Sequence, residues 1–353
     1  MMQAAVYYGP EDLRIEQRPI PAIRSNEVLL KVHTASICAT DLRIYAGAHR
    51  MYSPGTVRIP GHEITGTLAE VGREVHGLTP GQRVMIAPNI GCGHCRQCAA
   101  GRNNLCPDYD AFGITLDGAF AEYMRVTAPA IEQGNVIPVG EGADLAAMAL
   151  AEPLACVLHG QDAVNVQPGD TVLIQGAGPI GILHLLTAKA RGAARVLVSD
   201  MVPERLTKAV KLGADRAIDI SSSSLAQVVA DVTGGQGADV IIVAAPARAA
   251  MEESLRLAAH RGRINFFAGL PKQEPFIQAD ANTIHYKELF VTGTTACSTT
   301  DCRRAVELAA SGKVDLRALI GDRFPLAEAH AAFAAARRRD GWKVILQPEP
   351  THR

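Results

Sequence analysis

The sequence predicts a two-part α/β protein in which a β-rich unit is joined to a doubly wound parallel sheet, and three observations predict it. The chain has 353 residues, more than one hydrophobic core usually organises. Residues 1–150 break into short apolar runs separated by Gly and Pro. From Gln167 onward, short apolar runs alternate with Ala-rich stretches of helical length, which is how a parallel sheet with crossover helices reads in sequence.

In the first part, residues 27–33, 64–71 and 82–86 read as strands bounded by turn residues. In the second, strands are expected at 171–175, 195–199, 239–244 and 263–268, with helices at 178–191, 203–212 and 248–259 between them. A further helix near 301–310 and an apolar strand at 343–346 follow, and this tail is expected to return to the first unit. The expected division is 1–153 with 292–353 as one domain and 154–291 as the other.

Lys and Arg total 35 and Asp and Glu total 36, so a net charge of −1 gives no reason to expect nucleic acid or an acidic membrane as partner. No stretch of apolar residues is long enough to span a bilayer, and no basic start leads into an early apolar run; a cytoplasmic location is the expectation. Eight cysteines without a secretion signal read as reduced thiols and metal ligands rather than a disulfide framework.

Four of those cysteines are clustered. Cys92, Cys95 and Cys98 recur at every third position, and Cys106 follows. Thiolates at this spacing can close a tetrahedron around one ion, and soft sulfur suits Zn²⁺. A shell filled by four sulfurs leaves no position for water, so it holds a loop and performs no chemistry. Disulfides, free thiols and an iron–sulfur cluster are the alternatives. His94 lies between ligands as a bystander.

The run Thr171–Gln175 leads directly into Gly176-Ala177-Gly178-Pro179-Ile180-Gly181, and a helical stretch follows. Strand, Gly-x-Gly-x-x-Gly turn and helix together are the dinucleotide-binding fingerprint of a Rossmann domain. The first Gly allows the tight turn, the second lets backbone approach a pyrophosphate, and the third lets helix pack on strand. The pyrophosphate would rest at the helix N-terminus. Asp200 ends the next strand, where a carboxylate accepts hydrogen bonds from ribose hydroxyls; this favours NAD over NADP, and Arg205 nearby softens the preference. Gly269 and Thr294 follow later strands and are expected to border the nicotinamide.

Three distant fragments carry a mixed donor set: Cys38-Ala39-Thr40-Asp41, Gly61-His62-Glu63 and Glu152-Pro153-Leu154. Each alone is weak, since a lone His or Cys is more often a packed core residue. Together they supply sulfur, nitrogen and carboxylate, the composition of a zinc site that keeps one position open.

This combination resembles the zinc-dependent medium-chain dehydrogenase/reductase superfamily, in the branch that contains sorbitol or L-iditol and L-threonine dehydrogenases. The resemblance spans essentially the whole chain and implies a GroES-like catalytic domain beside the Rossmann domain. It also implies a catalytic zinc held by Cys38, His62 and one of two carboxylates, Glu63 or Glu152, and a structural zinc on Cys92, Cys95, Cys98 and Cys106. The chain departs from the family pattern at Ala39, where Gly is usual, and at Arg43, where many relatives carry a proton-passing His. Thr40, cofactor ribose or water would then relay the proton. The implied activity is NAD-dependent oxidation of a secondary alcohol, a polyol or sugar-derived alcohol first and L-threonine second. A non-catalytic nucleotide-binding protein of the same fold is the alternative of another class. The implied assembly is a homodimer or homotetramer.

Overall fold

The computed structural model describes residues 1–338 and 342–348. They divide into two compact units, one made of Met1–Ala155 with the described residues from Ala296 onward, the other of Cys156–Thr295.

In the second unit, the strands Thr171–Gln175, Arg195–Asp200, Arg216–Asp219, Ala238–Val243, Ala258–Phe266 and Phe290–Gly293 form one parallel sheet, six-stranded among the described residues. Across the sheet they lie in the spatial order 3-2-1-4-5-6, the doubly wound arrangement, with the order reversing between Thr171–Gln175 and Ala238–Val243. Val172, Leu173 and Ile174 are fully buried, as a strand covered on both faces requires. The helices Pro179–Ala190, Pro203–Lys211, Leu225–Thr233 and Arg248–Leu257 make the crossovers. Pro opens the first two at a position where its missing N–H costs nothing.

The expected strand at 263–268 instead begins at Ala258 and shortens the preceding helix. The ladder shows why: pairing jumps from Ala238↔Ala258 to Val240↔Arg263, and Arg261 inside the irregularity takes a left-handed φ of 58°. The strand Arg216–Asp219 and the helix Leu225–Thr233 have mixed burial patterns and were not legible as elements.

The first unit centres on a mostly antiparallel sheet, seven-stranded among the described residues. Its order is Ile320–Pro325, Lys343–Gln347, Val28–Ser36, Glu63–Val71, Arg83–Ile86, Val136–Pro138, with Tyr123–Val126 also pairing Val28–Ser36. The late strand Lys343–Gln347 therefore does return to the first unit and pairs antiparallel with Val28–Ser36. Phe112, Phe120 and Phe333 are the largest fully buried side chains of its core, and Phe120 meets Phe333 edge-on at 5.8 Å. Among the described residues, no helix is long and apolar enough to cross a membrane.

Candidate functional site

The fingerprint turn lies where the parallel sheet reverses its order, the place where open α/β sheets take ligands. Gly176 has φ 108°, a conformation that disfavours any side chain. A Cβ at Gly181 would run into the carbonyl oxygen of Gly176, so helix and turn approach this closely only because Gly181 lacks one. At Gly178, the N-cap of Pro179–Ala190, a Cβ would project into open space and fill the ground above the helix N-terminus. A helix N-terminus with open ground above it is what a pyrophosphate needs, so the residues fit a dinucleotide. Asp200 is buried and oriented by backbone: Oδ2 accepts from Ala177 N at 2.7 Å, and Oδ1 accepts from Met201 N and Val202 N at 2.8 and 3.0 Å. Arg205 Nη1 lies 3.4 Å from Asp200 Oδ2. Gly269 is exposed, and Thr294 Oγ1 shares hydrogen bonds with the Asn265 amide at 3.2–3.3 Å.

In the first unit, strand pairing assembles the mixed donor set. The ladder places Ser36 opposite Glu63, so the chain leaving Val28–Ser36 delivers Cys38 beside His62 and Glu63. Donor atoms of Cys38, His62 and Glu63 all lie within 4.8 Å of one another. Gly61, with φ 97°, makes the turn into Glu63–Val71, and a Cβ there would sit 2.6 Å from the Phe120 ring. Cys38 caps the helix Ala39–Tyr45, and Thr40 lies half-buried in its first turn, while Arg43 is exposed.

Asp41 had no role in the sequence reading, and the structure shows one. It is fully buried; Oδ2 accepts from Cys38 N at 2.8 Å, and Oδ1 lies 3.3 Å from His62 Nδ1. A carboxylate placed behind a His is the arrangement that orients the ring and sets its tautomer where the His binds a metal. Burial opposes a charge on His62, yet Asp41 and Cys38 beside it hold its pKa well above the ordinary imidazole value.

Glu63 is 0% exposed, and its Oε2 has no hydrogen-bond partner among the described residues. An orphaned carboxylate oxygen facing a thiol and an imidazole is what a divalent cation would satisfy, so the donor set fits zinc. Glu152 is not among the three donors that lie within 4.8 Å of one another; it sits in the first turn of Ala151–Ala163, with Oε1 3.8 Å from Cys297 Sγ.

The four clustered cysteines also converge, with their sulfurs within 4.8 Å of one another and Cys95 Sγ 3.8 Å from Cys106 Sγ. Backbone N–H groups point at the sulfurs, Cys92 N to Cys106 Sγ at 3.2 Å and Cys95 N to Cys92 Sγ at 3.4 Å. The Cys98 amide brings the Cys95 thiol down to about 7, whereas burial pushes Cys98 up to about 12. His94 turns its Nδ1 to the Cys92 carbonyl at 2.9 Å and takes no part in the tetrad. There is no disulfide among the described residues.

A buried polar network, unforeseen from sequence, ties this lobe down. Asn103 Nδ2 and Asn135 Nδ2 both donate to Asn89 O at 2.7 Å, and Asn89 Nδ2 donates to Cys297 O at 2.8 Å. The lobe is thereby anchored to the segment whose Cys297 touches Glu152.

Comparison with known proteins agrees with this geometry. Residues 24–141 match the alcohol dehydrogenase GroES-like domain family, and residues 179–311 match the zinc-binding dehydrogenase family. The chain is 32% identical to a sorbitol dehydrogenase of Bacillus subtilis, over 98% of this chain and 97% of that one. It is 33% identical to an L-threonine 3-dehydrogenase of Bacillus licheniformis, over 96% of each. Among solved structures, a zinc-binding dehydrogenase of Sinorhizobium meliloti 1021 bound to NADP superposes with a TM-score of 0.90 at 32% identity, covering 99% of both chains. Fold, donor sets and relatives agree, and the chain belongs to the zinc-dependent medium-chain dehydrogenase/reductase superfamily, in the branch of the sorbitol and L-threonine dehydrogenases.

Proposed function

We propose that this alcohol dehydrogenase oxidises a secondary alcohol of a polyol or sugar-derived substrate with NAD, Cys38, His62 and Glu63 holding the catalytic zinc. The observation that carries the reading is the convergence of those three donors beside the orphaned Glu63 Oε2. Glu152 acts on the same site through water, and Cys92, Cys95, Cys98 and Cys106 hold the structural zinc. Bound by Cys38, His62 and Glu63, zinc would supply a Lewis acid able to lower the pKa of a substrate hydroxyl. Thr40 carries the released proton outward; Arg43 stays charged near neutrality and cannot. Gly176, Gly178, Pro179, Ile180 and Gly181 would hold the pyrophosphate of the dinucleotide, Asp200 and Arg205 its ribose, and Gly269 and Thr294 would border its nicotinamide, which would supply the hydride acceptor. The domain that carries the zinc sites is the unit of Met1–Ala155 and the late chain, and Cys156–Thr295 is the NAD-binding domain.

A polyol is favoured over L-threonine because an amino-acid carboxylate needs a cation to receive it. The buried lysine beside the donor set, Lys343, is already engaged by Glu63. The test is NADH formation measured by absorbance across polyols, sugar-derived alcohols, simple secondary alcohols and L-threonine, with zinc content determined on the same sample. Turnover of a polyol with about two zinc ions per chain supports the reading. Exclusive turnover of L-threonine replaces it, and NAD binding without turnover of any alcohol points to a non-catalytic protein.

Asp200 supports NAD over NADP, since a 2′-phosphate would meet its charge. In Asp200→Asn, where the neutral amide keeps an acceptor for the loop, KM for NADP is expected to fall about tenfold, the scale of one charge-assisted hydrogen bond lost or repelled. Steady-state kinetics with both cofactors check it, and an unchanged ratio removes Asp200 from cofactor choice.

The edge of the parallel sheet supports a homo-oligomer. Phe290–Gly293 pairs on one side only, and Phe290 is 55% exposed. An unprotected apolar edge strand is a template for a second copy. Phe290→Asp is expected to shift the molar mass measured by light scattering toward the monomer.

A further inference from the structure

Lys343 is the buried lysine of the first unit, and the sequence reading gave it no role. Three strand ends meet around it. Ile345 pairs with Ser36, Ser36 pairs with Glu63, and Ile37 N donates to Val344 O at 2.9 Å, which seats Lys343 beside Ile37, Cys38 and Glu63. Its Nζ donates to Glu63 Oε1 and to Ile37 O, the latter at 3.3 Å. Lysine is almost never buried unless paired, and here the partner is one of the three converged donors. Burial works against the charge, while Glu63 and Cys38 hold the Lys343 pKa above its ordinary value.

Acidic side chains and a thiol crowd this cation, and His62 beside Asp41 is the other basic group of the cluster. Cys38, Glu63 and Asp41 are crowded into the same buried ground, and Glu152 lies close enough to act electrostatically on Lys343. A carboxylate with one oxygen on a lysine and the other orphaned has two possible cations, one resident and one exchangeable. We propose that Lys343 is a positioning residue of the zinc centre: it holds Glu63 by Oε1, presents Oε2 alone to the metal, and compensates the carboxylate when the metal leaves. Zinc shares Glu63 with a built-in counter-ion, so the emptied site stays folded and refillable. The inference rests on the assignment of zinc to Cys38, His62 and Glu63.

The test compares wild type, Lys343→Met and Lys343→Arg, each zinc-loaded and each stripped of its catalytic zinc by a chelator. Lys343→Met removes the cation that holds Glu63 Oε1 in the stripped site, where His62 faces Asp41 instead, so its stripped form is expected to melt about 5–10 °C lower than stripped wild type while the loaded form falls less. The gap between loaded and stripped forms widens, and competition with a chromophoric chelator shows zinc held at least about tenfold more tightly, as binding linkage requires. Cobalt substituted for zinc reports the coordination: a Glu63 freed to use both oxygens raises the coordination number and weakens the visible absorption. Lys343→Arg keeps the charge and restores the wild-type gap.

Equal gaps, equal affinities and equal cobalt spectra in all three proteins overturn the proposal and leave Lys343 a packing residue. Should Lys343→Met fail to fold, the pair Glu63→Gln with Lys343→Met is expected to recover soluble protein; a pair no more soluble than the single variant overturns the ion-pair role. Cys38→Ser, measured alongside, separates the two levels. If it still binds both zinc ions, the zinc assignment itself fails; if it keeps only the structural one while the Lys343 variants behave as wild type, the role of Lys343 alone fails.

Discussion

Replacing Cys38 by alanine is expected to lower kcat/KM at least about 100-fold, since even partners behind a metal ligand are worth 10–100-fold and the proposed role of the thiolate is that of a direct ligand. The fold is expected to survive. Cys38 is only partly buried at the mouth of a short helix, and Asp41 still accepts from the backbone N–H at position 38. Zinc content should fall from two ions toward one per chain, because the cysteine tetrad lies in a different part of the unit. Metal analysis and steady-state kinetics on one preparation check both halves. A fully active Cys38→Ala protein would remove Cys38, and with it the zinc site built on strand pairing, from the reaction.

Cys95→Ala should show the opposite balance. Cys95 caps the helical turn Arg96–Ala99, accepts from Cys98 N, and stands 3.8 Å from Cys106. The lobe around it is polar and has little apolar surface to bury, so a bound metal would substitute for a core, and metal binding there would be folding free energy. Loss of one sulfur is expected to lower the melting temperature by about 10 °C, at roughly 2–4 °C per kcal/mol for a domain of this size. Protein that remains folded should keep its catalytic zinc and much of its turnover. Differential scanning calorimetry with zinc analysis measures this, and an unchanged melting temperature would make the tetrad dispensable.

The two sites differ in how far they could be read in advance. The tetrad was complete in sequence because its ligands lie within fifteen positions, Cys92 to Cys106, and spacing alone sets their geometry. The fingerprint was equally local: glycine types, the preceding buried strand and the following helix occur in one continuous run. The mixed donor set was legible only as three fragments. Nothing in Cys38, Gly61–Glu63 or Glu152 says which will be neighbours; the fold sets Glu63 beside Cys38 and His62, and Glu152 near Cys297.

By itself, the sequence determined the class of fold, the glycine-rich turn between strand and helix, the cysteine tetrad and the residue types available for an open metal site. These follow from periodicity and short-range spacing, which act over one or two elements. Tertiary structure alone decided which carboxylate joins Cys38 and His62, that Asp41 stands behind them, and that Lys343, separated from Glu63 by 280 positions, shares its carboxylate. The physical reason is strand order. A ladder that sets Lys343–Gln347 beside Val28–Ser36 and Val28–Ser36 beside Glu63–Val71 is chosen by how the whole sheet buries its apolar faces, and the side chains at the strand ends meet as a consequence of that choice.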